Sequence, residues 1–197
     1  MKYDFVGNVL KKRESHGYSA SGADVQETTN SYDDRGRLLS TTTVLNGGTP
    51  AVVQYAYDAV GRLVMRKYKT GSTFLSETLS YNARGWLTGK ESGVFKMKLR
   101  YESPLVNATA HYNGNISEWE WQHGTSSPML YTFTYDGVSR LTGNRHYRNG
   151  GNAWSELAGN SAFTEKDLRY DRNGNIQTLT RTGSSAATLS YTCLLYT

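Results

Sequence analysis

The segment from Val53 to Met65 restricts the possible folds of this chain more than any other part of the sequence. Its first residues alternate apolar and polar side chains, which is the period-2 pattern of a strand with one apolar face. Asp58 and Gly61 then fit the first and fourth positions of a type I turn, because the carboxylate accepts hydrogen bonds from the amides ahead of it and the glycine takes a positive φ. The segment therefore predicts a β-hairpin.

The same turn predicts the register of the two strands. A type I turn followed by a left-handed glycine is a three-residue hairpin loop with a G1 bulge. In that register Asp58 faces Arg62, and Tyr57 faces Leu63. An ion pair on one face of the sheet and an aromatic–aliphatic pair on the other then each contribute about 0.2–1 kcal/mol.

The seven-residue unit recurs along the chain, with turn positions at 7, 36, 61, 85, 114, 139 and 174, which lie 24 to 35 residues apart. Such a period is typical of repeat architectures. A second glycine-containing turn lies between successive units, so each repeat is predicted to contain two strands. The motif residues predicted to carry the repeats are Tyr32, Asp33, Gly36, Arg37, Leu38, Tyr57, Asp58, Gly61, Arg62, Leu63, Tyr81, Gly85, Leu87, Gly114, Tyr135, Asp136, Leu141, Tyr170, Asp171, Gly174 and Ile176.

Three copies depart from the common pattern, and one of them has Asn82 for the aspartate and Trp86 for the arginine. Around Gly114 the copy is degenerate, with Ala110 and His111 where the tyrosine and aspartate belong. In another copy Ser139 takes the place of the turn glycine, at a cost of about 1–2 kcal/mol if the positive φ is kept. We therefore expect the Ser139 hairpin to use another loop.

The pattern resembles the YD repeats of the RHS family, whose signature is Tyr-Asp-x-x-Gly-Arg-Leu. The copies at 32–38 and 57–63 match it fully, and the resemblance covers nearly the whole chain. It implies a segment of a bacterial polymorphic toxin or surface protein whose repeats spiral into a hollow β-shell around a variable C-terminal effector domain. The partners it implies are neighbouring repeats and the enclosed effector, and the location it implies is secreted or at the bacterial cell surface. The family's self-cleaving segment is not recognisable here, so the resemblance assigns no catalytic residue.

The expected fold is all-β: an antiparallel meander of YD-repeat hairpins forming a curved or spiralling ribbon, as part of an RHS-type shell. Residues 1–192 are expected to form one continuous repeat array, truncated at both ends. Residues 193–197, which include the lone Cys193, are expected to be a non-native tail. With 37% hydrophobic residues, 15 Tyr and 20 Gly, the composition suits a sheet that is partly wetted on both faces.

No residue pattern predicts an enzyme, a cofactor or a metal site. The four histidines fall at unrelated phases of the repeat, and the aspartates cluster at turns where capping explains them. The net charge of +5 is spread along the chain and favours a solvated face over a nucleic-acid partner. No stretch is long and apolar enough to predict membrane insertion.

An alternative interpretation is a cell-surface adhesion or carbohydrate-binding module, in which Trp119, Trp121 and Trp154 stack on sugars. Ile116 falls out of phase with the first two of these tryptophans, which predicts either a bulge or a strand covered on both faces. Residues 148–163 are the longest insertion, expected to be a loop or one helical turn. Residues 8–31 carry only weak strand signals.

Overall fold

The computed structural model describes residues 1–17, 22–158, 163–183 and 187–190. This part of the chain contains strands, turns and bends but no helix, and its strands pair antiparallel with their neighbours in the chain. The predicted all-β meander is confirmed. The strands are β1 (Lys2–Tyr3), β2 (Val9–His16), β3 (Asp24–Tyr32), β4 (Leu38–Leu45), β5 (Ala51–Tyr57), β6 (Leu63–Thr70), β7 (Thr73–Tyr81), β8 (Leu87–Ser92), β9 (Phe95–Arg100), β10 (Glu118–His123), β11 (Met129–Tyr135), β12 (Leu141–Asn149), β13 (Trp154–Glu156), β14 (Glu165–Tyr170), β15 (Ile176–Arg181) and β16 (Ala187–Ser190).

The first of two compact units contains Met1–Tyr81 and Lys90–Gly93. In it, β1 to β7 pair in chain order. The register shifts between Ser31 and Tyr32 and again between Ala56 and Tyr57, which places a bulge directly before each motif tyrosine. The weak strand signals of residues 8–31 correspond to two full strands, β2 and β3. Their side chains are mostly polar, which suits a sheet that is in contact with water on both faces.

The second unit contains Asn82–Gly89 and the chain from Val94 onward, so the residues of β8 are divided between the two units. In it, β9 to β13 pair in chain order, and β14 to β16 form a separate three-stranded sheet. Residues 154–156 form β13 against β12, so the expectation of only a loop or a helical turn in this insertion is wrong. The predicted tail at 193–197 lies outside the described residues.

Little of the described chain is removed from water. Its buried apolar side chains are Tyr101, Leu130, Tyr147, Leu168 and Leu179. A sheet with so few buried residues gains less from a dry core than a two-layer domain does. Hydrogen bonds and pairs of side chains between neighbouring strands therefore carry much of the stabilisation.

Candidate functional site

The copy at Tyr57–Leu63 shows the turn chemistry of the motif. Asp58 Oδ1 accepts hydrogen bonds from the amides of Val60 (3.0 Å) and Arg62 (2.8 Å), and Oδ2 accepts one from Arg62 Nε (2.7 Å). The Gly61 amide donates to the Asp58 carbonyl at 3.0 Å, with a φ of +89° at the glycine. One carboxylate thus ties together both ends of the loop. The equivalent bonds are present at Asp33 and Asp136.

These bonds keep the turn carboxylates ionised in acid. The hydrogen bond from the Arg62 side chain is the main cause that lowers the pKa of Asp58, with the Arg62 amide adding to it and partial burial opposing it. The pKa of Asp136 is lowered chiefly by the Arg140 amide, and that of Asp171 by the Asn175 side chain. The motif therefore functions as a charged cap that resists protonation.

Ser139 adopts the turn that we expected it to avoid. Its φ is +66°, and its amide donates to the Asp136 carbonyl at 3.0 Å, as the turn glycine does in the other copies. The expectation of another loop is wrong, because the Asp136 carboxylate still accepts from Val138 and Arg140 and fixes the backbone. Asn113 Nδ2 also donates to Ser139 Oγ at 3.0 Å.

Each motif tyrosine joins its hairpin to the one before. The Tyr57 hydroxyl donates to the carbonyl oxygen of Leu38 at 3.0 Å, and the Tyr81 hydroxyl donates to that of Leu63 at 2.8 Å. We call this series of bonds the tyrosine ladder. Its other members are Tyr32 to Val9 (3.0 Å), Tyr101 to Leu87 (2.8 Å), Tyr135 to Ile116 (2.9 Å) and Tyr170 to Leu141 (2.6 Å).

The motif arginine adds a second contact between successive repeats. The Arg62 guanidinium lies 5.0 Å from the centre of the Tyr81 ring while its Nε donates to Asp58. Arg37 lies over Tyr57 at 4.9 Å in the same way, and Arg140 lies over Tyr170 at 4.7 Å. Where Trp86 replaces the arginine, its indole packs against the Tyr101 ring at 5.0 Å between ring centres. In these four copies the side chain at this position covers the next tyrosine.

The degenerate copy is an interrupted repeat. Its tyrosine is Tyr101, which makes the ladder bond to Leu87, and not a residue at the positions of Ala110 and His111. After Tyr101 the chain forms an irregular excursion, residues 102–112, and then bends at Gly114 with a φ of +98°. Its tyrosine could not be recognised in the sequence, because eleven residues separate Tyr101 from the other residues of the motif.

A buried carboxylate holds this excursion. The Glu118 side chain is fully buried, and its two oxygens accept hydrogen bonds from the amides of Leu105 and Val106, each at 2.8 Å. Arg100 Nη1 lies 3.5 Å from the same carboxylate and balances its charge. No pattern in the sequence indicates this role, since a glutamate within a strand is ordinarily solvated.

The three tryptophans named as candidates for ligand contact do not form one site. Trp119 and Trp121 lie on the same face of β10 with their ring centres 5.0 Å apart. Ile116 precedes this strand, which begins at Glu118, so the phase conflict disappears. Trp154 lies on β13 opposite Asn149.

Repeated hairpins joined by a tyrosine ladder define a β-hairpin repeat protein. Residues 31–73, which contain the two full-signature copies, match the family model described as RHS Repeat. For this part of the chain, the match supports the resemblance to RHS repeats that the motifs predict. No curated protein matches the chain.

The described residues contain no group of three or more His, Cys, Asp or Glu side chains that could hold a metal ion. A helix of the length and apolar character needed to span a membrane is likewise not found among them.

Proposed function

We propose that this chain is a structural segment of an RHS-type bacterial polymorphic toxin or secreted protein. In this role it forms part of a β-shell that encloses a C-terminal effector domain, and it has no enzymatic activity of its own. The observation that carries the proposal is the tyrosine ladder, which joins successive repeats by bonds that require no ligand.

The energies of the contacts between successive repeats suit the wall of a β-shell. A hydroxyl-to-carbonyl bond contributes about 0.5–1.5 kcal/mol, and a cation–π contact at an exposed site about 0.5–1 kcal/mol. Because stability in a repeat array is close to a sum over units and their interfaces, such modest terms accumulate with each added copy. A shell assembled in this way becomes more stable with each added repeat and needs no large core.

The faces of the sheet also support containment. Large apolar side chains such as Phe74 and Leu75 are exposed alongside ionic pairs such as Lys11 with Glu27. A surface that mixes apolar and charged groups tolerates varied cargo without a specific pocket. We further propose that the protein acts outside the cell or at the bacterial surface, where RHS-repeat proteins are typically found.

Protease protection tests the proposal. The complete gene product is expressed, and the rate at which protease cleaves any domain downstream of the repeats is compared with the rate for that domain expressed alone. We expect protection in the complete protein and faster cleavage when Tyr57→Ala and Arg37→Ala together break one step of the ladder. Val60→Ala is the matched control, since Val60 lies in the same turn with 75% of its surface exposed.

Two results would contradict the shell. One is a downstream domain that is cleaved as quickly within the complete protein as alone. The other is a gene that encodes no domain beyond the repeats.

A further inference from the structure

We propose that a groove in the second unit binds a neutral saccharide, about one or two sugar rings in size. The groove lies between the aromatic face of β10–β12 and the first residues of β14, with a volume of about 350 Å³. Its lining includes Trp119, Tyr131, Phe133, Phe163, Glu165 and Arg181. This site goes beyond the shell role and does not depend on it.

The floor of the groove is a row of aromatic rings. Tyr131 lies between Trp119 and Phe133, with ring centres 6.3 Å from each, and all three side chains are half-buried. Behind them Trp121 stacks on Tyr131 at 4.9 Å, which fixes the ring in place. The C–H face of a sugar ring is apolar and packs on such rings, which offer a large contact area at little cost in side-chain entropy.

The groove also presents polar groups suited to hydroxyls. Arg181 Nε donates to Glu165 Oε1 at 2.9 Å, so donors and acceptors stand side by side at the rim. The Nε1–H of Trp119 is buried and has no hydrogen-bond partner among the described residues. A buried donor without an acceptor carries a cost in free energy.

Phe163 is held at the groove in an unusual conformation. Its φ is +45°, a value that bulky residues seldom adopt, and 55% of its surface is exposed. The Tyr131 hydroxyl donates to the Phe163 carbonyl at 2.9 Å, and this bond links β11 to the segment that precedes β14. Strained residues that are fixed by their surroundings cluster at ligand sites, which is consistent with a preformed rim.

The size and charge of the groove favour a neutral sugar over other classes of ligand. The volume is near the lower end of small-molecule sites and too narrow for an α-helix about 10 Å across. Arg181 and Glu165 are the two ionisable side chains of opposite sign in the lining, and they pair with each other. The groove therefore has no excess positive charge to attract phosphate or an acidic sugar.

Titration with methyl glycosides of glucose, galactose, mannose and N-acetylglucosamine tests the site. Each is added to the 197-residue chain up to about 10 mM, which detects dissociation constants near 1 mM, with saturation-transfer NMR and tryptophan fluorescence as readouts. We expect at least one glycoside to bind. Trp119→Ala and Arg181→Gln should each weaken that binding about tenfold or more.

Two further variants separate binding from folding. Trp119→Phe keeps an aromatic ring but reduces its contact area, and we expect a loss of about threefold to tenfold. Trp154→Ala is the matched control, because Trp154 lies on β13 and does not line the groove. Each variant is first checked for a wild-type circular dichroism spectrum.

The proposal is overturned if none of the four glycosides binds, if Trp119→Ala binds as the wild type does, or if Trp154→Ala weakens binding equally. Any of these results leaves the protease-protection test of the shell unaffected, since that test does not involve the groove.

Discussion

The phenolic hydroxyl of Tyr57 donates a hydrogen bond to the carbonyl oxygen of Leu38 at 3.0 Å, and so links one repeat hairpin to the one before it. Phenylalanine in place of this tyrosine keeps the ring and its packing but removes the donor. The Tyr57→Phe variant should therefore be less stable by about 0.5–1.5 kcal/mol in urea unfolding. Tyr112→Phe, at a side chain that is 66% exposed and outside the ladder, should leave stability unchanged. Equal effects of the two changes would show that the bond contributes nothing.

The motif arginine should not be replaceable by lysine. Arg62 lies over the Tyr81 ring and at the same time donates from Nε to Asp58. A lysine ammonium is a point charge and cannot make both contacts in this geometry. Arg62→Lys should lower the free energy of unfolding by about 0.5–1 kcal/mol, while Arg35→Lys, at an exposed turn position, should not. An Arg62→Lys variant as stable as the wild type would mean that charge alone matters.

Ser139 is a position where the chain can be stabilised. Its φ of +66° is strained for a residue with a Cβ, so Ser139→Gly should raise the free energy of unfolding by about 1 kcal/mol. The reverse change, Gly61→Ser, should lower it by a similar amount. Because Ser139→Gly also removes the acceptor for Asn113, the variant Ser139→Ala, which keeps the Cβ and removes only Oγ, measures that contribution separately. If Ser139→Gly lowers the free energy of unfolding by more than the loss of the Asn113 hydrogen bond accounts for, the backbone at Ser139 is not strained.

Acid should destabilise the repeats through their turn carboxylates. The pKa of Asp58 is lowered in the folded chain by the Arg62 side chain, so the unfolded chain binds more protons. The resulting stability is complete above about pH 5 and is lost as the pH falls through 4 and below. Urea unfolding midpoints measured between about pH 6 and pH 2.5 should fall, and Asp58→Asn should flatten the fall.

Two controls accompany the pH series. Asp34→Asn removes an exposed carboxylate from an equivalent turn, so it changes the net charge by the same amount and is the matched control. The isosteric change at Asp58 is mild, since Asn82 already occupies the same motif position, where its Oδ1 accepts from Arg84 and Trp86. An identical slope in wild type and Asp58→Asn would exclude this carboxylate as a source of acid sensitivity.

Glu118 should be essential for the excursion at residues 102–112. Glu118→Gln replaces one acceptor oxygen with an NH₂ group that faces a backbone amide, and removes one of the two carboxylates that pair with Arg100, the other being Glu120. We expect a loss of about 3 kcal/mol, together with faster hydrogen exchange at the amides of Leu105 and Val106. Glu120→Gln removes the other carboxylate that pairs with Arg100, and it should leave exchange at these two amides unchanged because they donate to Glu118. Unchanged exchange in Glu118→Gln would refute the proposed clamp.

The hairpins could be predicted from the sequence because their causes are local. Asp58, Gly61 and Arg62 determine the turn within a few residues, and the family match at residues 31–73 agrees with that reading. The tyrosine ladder could not be predicted in the same way. Tyr57 and Leu38 are 19 residues apart, and no local pattern fixes how one hairpin is placed against the next. The only signal was that the position holds tyrosine, with its hydroxyl, in copy after copy.

The remaining differences also have non-local causes. Ser139 keeps the strained turn because the carboxylate of Asp136 outweighs the residue's own preference. Glu118 is buried because a segment a dozen residues earlier supplies its donors. The binding groove proposed above joins β10 and β11 to β14, which lie more than 30 residues apart in the chain.

In the interrupted repeat, the tyrosine bond and the chain reversal are separated in sequence, whereas in the other copies both lie within seven adjacent residues. Tyr101 anchors the strand backward to Leu87, and Gly114 reverses the chain, although eleven residues of irregular backbone lie between them. Additional sequence can therefore enter at a hairpin tip without loss of alignment between neighbouring copies. Counting contiguous signatures underestimates the number of hairpins in such an array, and the tips offer natural attachment points for grafted peptides or whole modules.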